Sequence, residues 1–327
     1  MTVCRICGTE SEHPLHTIRE MQFGTRDEFV YFECAKCKCL QMRDIPEALE
    51  KYYPNNYYSF SPKHLKARSS LTQRLKKYGR RKVVDWQLVK GSALGRLLDR
   101  RFGHDFVPYW LLKHGLKISS NSKILDVGCG TGEDLTQLEC IGFQRLLGVD
   151  AFIASDISHP NGFKILKSSL DSIDGSFDFI MLHHSFEHMK EQLTVLQKLN
   201  SLLASGHYLL IRIPIRSYAW EHYGTNWAQI DAPRHLFLHS EDSLNFLASQ
   251  AGFEVSDIIY DSDEFQFWAS EQYAKDIPLI AENSYGVNPD LSIFSEADIE
   301  SYKAQASVLN QEQRGDQACV YLRKISS

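Results

Sequence analysis

No apolar run in these 327 residues approaches the roughly 18 that a membrane-spanning helix needs. The opening MTVCRICGTE also lacks the basic and apolar regions of a secretory leader. A membrane-spanning or secreted protein is therefore disfavoured, and the chain reads as cytoplasmic. Cysteine is scarce beyond the N-terminus: five of the eight lie in the first 39 residues, so a disulfide framework spread along the chain is excluded. Missing too are the G-x-G-x-x-G dinucleotide fingerprint and any known RNA-binding motif, which, with the net charge of −5, counts against a nucleic-acid partner. A composition 43% hydrophobic is enough for one large core and a small satellite domain.

The clustered cysteines come in pairs, Cys4 and Cys7 in CRICG and Cys34 and Cys37 in CAKCKC, with 26 residues between the pairs. Each C-x2-C places two thiolates on one tight turn, and two such turns complete a tetrahedral site for zinc. We expect residues 1–45 to be a zinc ribbon with Cys4, Cys7, Cys34 and Cys37 as ligands and Cys39 left over as a substitute ligand or free thiol. The intervening HTIREMQFGTRDEFVYFEC alternates like strands but has little core, so the metal supplies much of the folding energy, about 10 to 16 kcal/mol in zinc-finger peptides. A closed four-thiolate site has no open position, so its expected role is structural or in substrate docking.

Residues 46–104 form a connector in which Lys63 to Arg101 carries thirteen Lys or Arg against two Asp. Apolar residues at Leu71, Leu75, Tyr78, Val83, Val84, Trp86, Leu88 and Val89 suggest amphipathic helix interrupted at Gly91 and Gly95. The basic face reads either as a solvated helix exterior or as a surface for anions, peripheral contact with membrane headgroups included.

From about residue 105 onward, short apolar stretches (KILDVG, RLLGVD, GFKIL, FDFIML, YLLIRIP, FEVSDIIY) alternate with helical ones. This is the pattern of an α/β fold with a parallel sheet, in which ligands bind beyond the carboxyl ends of the strands. The first stretch enters DVGCGTGEDL, where Gly128, Gly130 and Gly132 let the backbone approach a ligand closely. Glu133 and Asp134 then occupy the helix start where a pyrophosphate would sit, which disfavours a dinucleotide. Asp150 ends the second stretch, where a carboxylate can accept from both hydroxyls of a ribose.

With ILDVGCGTG, this acidic strand end and FDFIMLHHSFEHM, the chain resembles the class I S-adenosylmethionine-dependent methyltransferases over about 106–260. DAPRHLFLHSEDSLNFLASQAGFEV, the early CRxCG and the closing GDQACVYLRK narrow the resemblance to those with an N-terminal zinc-binding domain, found in sugar and polysaccharide biosynthesis. The resemblance implies a Rossmann-like seven-stranded sheet over 105–327. The terminal hairpin would pair FEVSDIIY with QACVYLRK around a mainly helical insertion at about 274–313. It further implies that Asp126, Gly128, Gly130 and Gly132 bound the methionine part of S-adenosylmethionine and that Asp150 takes the ribose. Ser169, Leu170 and Asp171 would line the adenine, and His184 and Ser185 would face the sulfonium and acceptor. The implied activity is methyl transfer to a hydroxyl or carbon of a sugar-containing or other small metabolite, nucleotide- or lipid-linked sugars among them. The longer relatives carry a further C-terminal domain that this sequence lacks, so their substrate does not transfer.

HHSFEHM, residues 183–189, leaves three readings open. His188, ahead of His184, is a general base, with Glu187 and His235 of DAPRHL beside it. Alternatively His184, Glu187, His188 and His235 hold a metal, by resemblance to small-RNA 2′-O-methyltransferases and ubiquinone-type O-methyltransferases that use E-x-x-E-H and a later histidine. The first acid is histidine here, which suits a transition metal better than Mg²⁺. Third, Glu187 and His188 merely cap a helix and pair with Arg234. The alternatives to a small-molecule enzyme are thus a metal-dependent RNA 2′-O-methyltransferase-like enzyme and a non-catalytic zinc-ribbon binding protein with a vestigial methyltransferase fold. Cys129, Cys140 and Cys319 read as packing residues.

Overall fold

The structure is a computed structural model that describes residues 1–53, 71–102, 107–113, 115–160 and 162–325. From position 54 to 70, PNNYYSFSP and the first part of the basic run lie outside the described residues. At the N-terminus β1 (Thr2–Val3) pairs with β2 (Glu10–Ser11), and β3 (Leu15–Arg19), β4 (Glu28–Glu33) and β5 (Leu40–Met42) form an antiparallel meander. Helices α1 (Leu71–Val89) and α2 (Ala93–Phe102) carry the basic segment. Gly95 does not break a helix but lies inside α2. There a Cβ would come 1.8 Å from the Lys82 carbonyl oxygen, so its absence lets the two helices pack backbone to backbone.

The remaining chain alternates as expected: β6 (Lys123–Val127), α3 (Glu133–Ile141), β7 (Arg145–Asp150), β8 (Ile157–Ser158), β9 (Lys164–Lys167), β10 (Phe177–His183), α4 (Gln192–Leu202) and β11 (Leu203–Pro214). Then come α5 (Tyr218–Tyr223), β12 (Phe237–Leu238), α6 (Glu241–Gln250), β13 (Phe253–Tyr260), α7 (Phe265–Ala274), α8 (Glu296–Gln311) and β14 (Gln317–Lys324). The large sheet has the order β13-β14-β11-β10-β6-β7-β9-β8. It counts eight strands rather than seven because the two-residue β8 adds to β9 in antiparallel fashion. Strands β9, β7, β6, β10 and β11 are parallel, and β14 runs antiparallel between β11 and β13.

Successive residues of β6 and β10 point to opposite faces, and both faces are covered. Leu125, Ile180 and Leu182 enter one apolar cluster, while Ile124, Phe179 and Met181 enter another. The order in which strands are added reverses between the parallel neighbours β6 and β10: the connections from β6 run outward to β7 and β9, those from β10 outward to β11. A crevice beyond the carboxyl ends of these two strands is where such a sheet binds ligands.

Two features differ from expectation. The cysteine-rich module is not a satellite: Cys4, Tyr31, Phe32 and Leu40 share one apolar cluster with Leu125 and Ile211, and β5 is extended by β12, with Phe237 opposite Gln41 and Leu238 opposite Leu40. The segment between β13 and β14 begins directly after Tyr260, since FQFWASEQY forms the buried helix α7 ahead of α8. Cys140, read as packing, is exposed on α3.

At the seam between the small sheet and the main domain, His239 is fully buried, its Nδ1 is 2.9 Å from Ser243 Oγ, and its ring stacks between Phe186 and Phe237. Burial pushes it from 6.5 down to about 3, although Glu187 opposes this. Below pH 6.5 the unfolded chain therefore takes up a proton that the folded one refuses, so this contribution is complete above 6.5 and is lost as pH falls toward 3. We expect stability to drop on acidification by up to about 1.4 kcal/mol per pH unit from this group, and His239→Asn to flatten the slope. Urea midpoints at about pH 7.5 and about pH 5 check this.

Candidate active site

The loop leaving β6 meets the expectation for a close-approach turn. Gly128, Gly130 and Gly132 all have positive φ, at 74°, 53° and 81°. A Cβ on Gly128 would lie 2.5 Å from that of Ser185, whose Oγ donates to the Val127 carbonyl at 2.8 Å. Thus the loop and the end of β10 lock together at the reversal point. Asp150 holds the loop from the neighbouring strand: its Oδ2 accepts from Gly130 N–H at 2.9 Å, and its Oδ1 from Phe152 and Ile153 N–H at 2.8 and 3.2 Å. Asp126 and Asp134 are close by; burial raises both carboxyls, and Asp134 and Asp150 raise Asp126 further. Three acidic groups converging on a glycine cradle form a site for a cation rather than for phosphate. Past the carboxyl end of β9, on the same rim, Ser169 precedes a short 3₁₀ turn, Leu170–Ser172, in which Asp171 is exposed.

The histidines divide into two sets. His184, in the left-handed region at φ 46°, has Arg212 Nη1 at 2.8 Å from its Nε2. A guanidinium can only donate, so that lone pair is occupied and Nδ1–H faces Glu187 at 3.5 Å. His184 is therefore left without a free basic nitrogen. Arg212 is itself held by Asp261 at 2.6 Å, and Asp261 also accepts from the Tyr109 hydroxyl. His183 packs on Trp110 and is pushed down to about 3, chiefly by burial and then by Arg212.

The other set is Glu187, His188 and His235. A short 3₁₀ turn, Phe186–His188, follows β10 in place of the expected helix start. His188 Nδ1 lies 2.8 Å from the Arg234 carbonyl, so its contact with Arg234 is to the backbone and not to the side chain. The Tyr53 hydroxyl is 3.3 Å from the same nitrogen. His235 Nδ1 lies 2.7 Å from the Gln229 carbonyl, and the two imidazoles meet edge to face at 4.8 Å. Burial and His188 bring His235 down to about 4. Burial raises the Glu187 carboxyl, whereas the facing His184 and the charges of His188, His235 and His184 bring it to about 2. With its value at about 4, His235 is neutral at pH 7 and adds no charge beside the carboxylate.

Cys4, Cys7, Cys34 and Cys37 come together, with Sγ–Sγ separations of 3.6 Å for both Cys4–Cys37 and Cys7–Cys34. Four thiolates at about 2.3 Å from one zinc stand about 3.8 Å apart, so the set fits that ion. In each turn the second cysteine's N–H donates to the first sulfur at 3.4 Å, and Gln41 Nε2 donates to Cys4 at 2.9 Å. Cys39 lies outside the group, buried against the Leu40 carbonyl at 3.7 Å. Sequence reasoning missed Arg212, Asp261, Tyr53 and Tyr109. The one signal available was an arginine inside the apolar stretch YLLIRIP.

Residues 99–258 match a family model described as a methyltransferase domain. No curated protein matches the chain. Similar solved structures include a SAM dependent methyltransferase from Archaeoglobus fulgidus, at 19% identity over 70% of this chain and 99% of that one, with a TM-score of 0.40. The cyclopropane synthase MmaA2 from Mycobacterium tuberculosis is similar at 14% identity over 64% and 80%, also with a TM-score of 0.40. Both likenesses are loose.

Gly128 and Gly206 share a φ of 74°, but a Cβ on Gly206 meets nothing within 4 Å. We expect Gly206→Ala to cost the backbone term alone, about 1 to 2 kcal/mol, and Gly128→Ala to cost about 1 to 3 kcal/mol more through the clash with Ser185. Urea unfolding of the pair measures the difference.

Proposed function

Since the chain carries a methyltransferase domain at residues 99–258 and is a methyltransferase, we propose that it uses S-adenosylmethionine to methylate a hydroxyl or carbon of a sugar-containing or other small metabolite. The observation that carries this reading is the cradle of Gly128, Gly130 and Gly132 under Asp126, Asp134 and Asp150. S-adenosylmethionine supplies an electrophilic methyl group on a sulfonium, and a cationic ligand suits a site where buried carboxylates converge. Gly128 and Gly132 give the backbone room at the methionine end. In this reading Asp150, its carboxylate oriented by three backbone N–H groups, takes the ribose hydroxyls, and Ser169, Leu170 and Asp171 border the base. Glu187, His188 and His235, next along the same rim, are the groups that meet the acceptor. Their setting, with Glu187 and His235 buried and His188 half-buried, favours a small or end-on substrate over a duplex.

In this proposal the four thiolates hold a structural zinc, and a reduced cysteine set fits a cytoplasmic, reducing setting. No helix among the described residues is long and apolar enough to cross a membrane. The exposed basic residues of α1 and α2 leave peripheral contact with an anionic surface within this reading.

Calorimetry with S-adenosylmethionine and its demethylated product tests the cofactor. We expect binding of both, weakened about tenfold or more in Asp150→Ala, which removes at least one hydrogen bond to a charged group. No binding of either compound to the intact chain would sink the proposal. Elemental analysis tests the zinc: Cys37→Ser should carry one zinc fewer than the parent protein, and Cys39→Ser should carry the same number.

A further inference from the structure

We infer that Glu187, His188 and His235 form a second metal site, distinct from the four cysteines, that takes a divalent first-row transition ion. The first observation is Glu187. It is 0% exposed, and among the described residues neither of its carboxylate oxygens accepts a hydrogen bond. The imidazole nitrogens His184 Nδ1 and His235 Nε2 stand off from it at 3.5 and 3.9 Å. A buried carboxylate left in that state costs more than the 1 to 3 kcal/mol of an ordinary unpaired group, and a cation among these atoms removes the cost.

The second observation is the tautomers. A backbone carbonyl only accepts, so the Arg234 carbonyl at 2.8 Å and the Gln229 carbonyl at 2.7 Å place the protons of His188 and His235 on Nδ1. Both Nε2 lone pairs are thereby left for a ligand, and a carbonyl behind each ring orients it as second partners of metal-bound imidazoles do. One donor atom from each of the three side chains lies within 4.8 Å of the other two. Drawing them to about 2.1 Å from one ion takes shifts of about an ångström.

The donor set names the ion class. Two imidazoles and one carboxylate suit Zn²⁺, Co²⁺, Fe²⁺ or Ni²⁺ and not the oxygen-seeking Mg²⁺ or Ca²⁺. Asp231 is 3.9 Å from His235 Nε2, but it is committed to Arg234. Three protein ligands leave open positions, reached from the side of the half-buried His188. A water or acceptor hydroxyl bound there becomes more acidic and releases its proton to solvent, so that the imidazoles serve as ligands and not as free bases. This last consequence rests on the methyl-transfer reading, whereas the binding of the ion does not.

The test is titration of full-length protein, its cysteine site already loaded with zinc, with Co²⁺ alone, followed by calorimetry and visible absorption. The parent protein should take up one Co²⁺ per chain and show the weak bands of nitrogen and oxygen coordination. Glu187→Gln, which preserves shape and removes the charge, and His235→Ala should each weaken uptake about 100-fold or more. His188→Ala, at a half-buried position, gives the same readout should either buried variant fail to fold. No Co²⁺ uptake by the parent, uptake with the intense bands of thiolate coordination, or equal affinity in every folded variant would overturn the inference. Cofactor calorimetry reports separately on the methyl-transfer reading.

Discussion

Arg234 is the contact through which the two halves of the molecule hold each other. Its side chain is 0% exposed, donates to Asp231 at 2.5 and 2.9 Å and to Glu20 at 3.0 Å, and reaches the Tyr52 carbonyl at 3.2 Å. A buried guanidinium costs several kcal/mol unless every donor finds an oxygen, and here three separate segments supply them. Glu20 is in turn fixed by the Phe23 and Thr25 N–H groups at 2.9 and 3.0 Å. The cost of burying this charge is therefore met only when the cysteine-rich module, the Tyr52 segment and the 231–235 loop are docked together. The same loop carries His235, and the Arg234 carbonyl lies 2.8 Å from His188 Nδ1, so the Glu187–His188–His235 group depends on that docking.

Further contacts run in the same direction. Tyr31 of β4 donates its hydroxyl to the His235 carbonyl at 2.8 Å, and Ser240, which caps α6, donates to the Cys37 carbonyl at 2.6 Å. The thiolate cluster thus sits one hydrogen bond from α6, and the small sheet one hydrogen bond from the histidine pair. In physical terms the cysteine module is a wall of the site. In the proposed reading a zinc at the four thiolates stiffens the two C-x2-C turns and acts on His235 through β4 and β5, without any direct part in chemistry.

How much of this was legible in sequence depended on the range of the interaction. The parallel strands and the glycine loop could be read because each is encoded within about ten contiguous residues, by unbroken apolar stretches and by glycines spaced for a tight turn. The joining of β12 to β5 was not, because Phe237 and Gln41 lie far apart in the chain and β12 has only two residues. Helix α7 was missed for a different reason: Gln266 through Ser270 are all buried, so no polar face interrupts the stretch to mark a helical period. In HHSFEHM the residue types did not show how the histidines divide into two sets. Which imidazole keeps a free nitrogen is decided by Arg212 on β11 and by two carbonyls in the 229–235 loop, and periodicity carries no trace of either.

Charge ties the two parts of the rim together. Carboxylates gather there, buried Asp126 and Asp150 and half-buried Asp134 about the loop and buried Glu187 beyond β10. The one guanidinium between them, Arg212, is largely neutralised by Asp261 at 2.6 Å and turned toward His184. The resulting field is negative on both sides of Ser185. In the proposed reading such a field holds a sulfonium more tightly than the uncharged thioether left after methyl transfer, so a loop that captured the donor would also favour release of the product. Coulomb attraction in a partly dehydrated crevice amounts to several kcal/mol, comparable with a hydrogen-bond pair, and it vanishes with the charge. Arg212 therefore serves better with its charge cancelled: left unpaired beside the loop, it would weaken the preference that the carboxylates create.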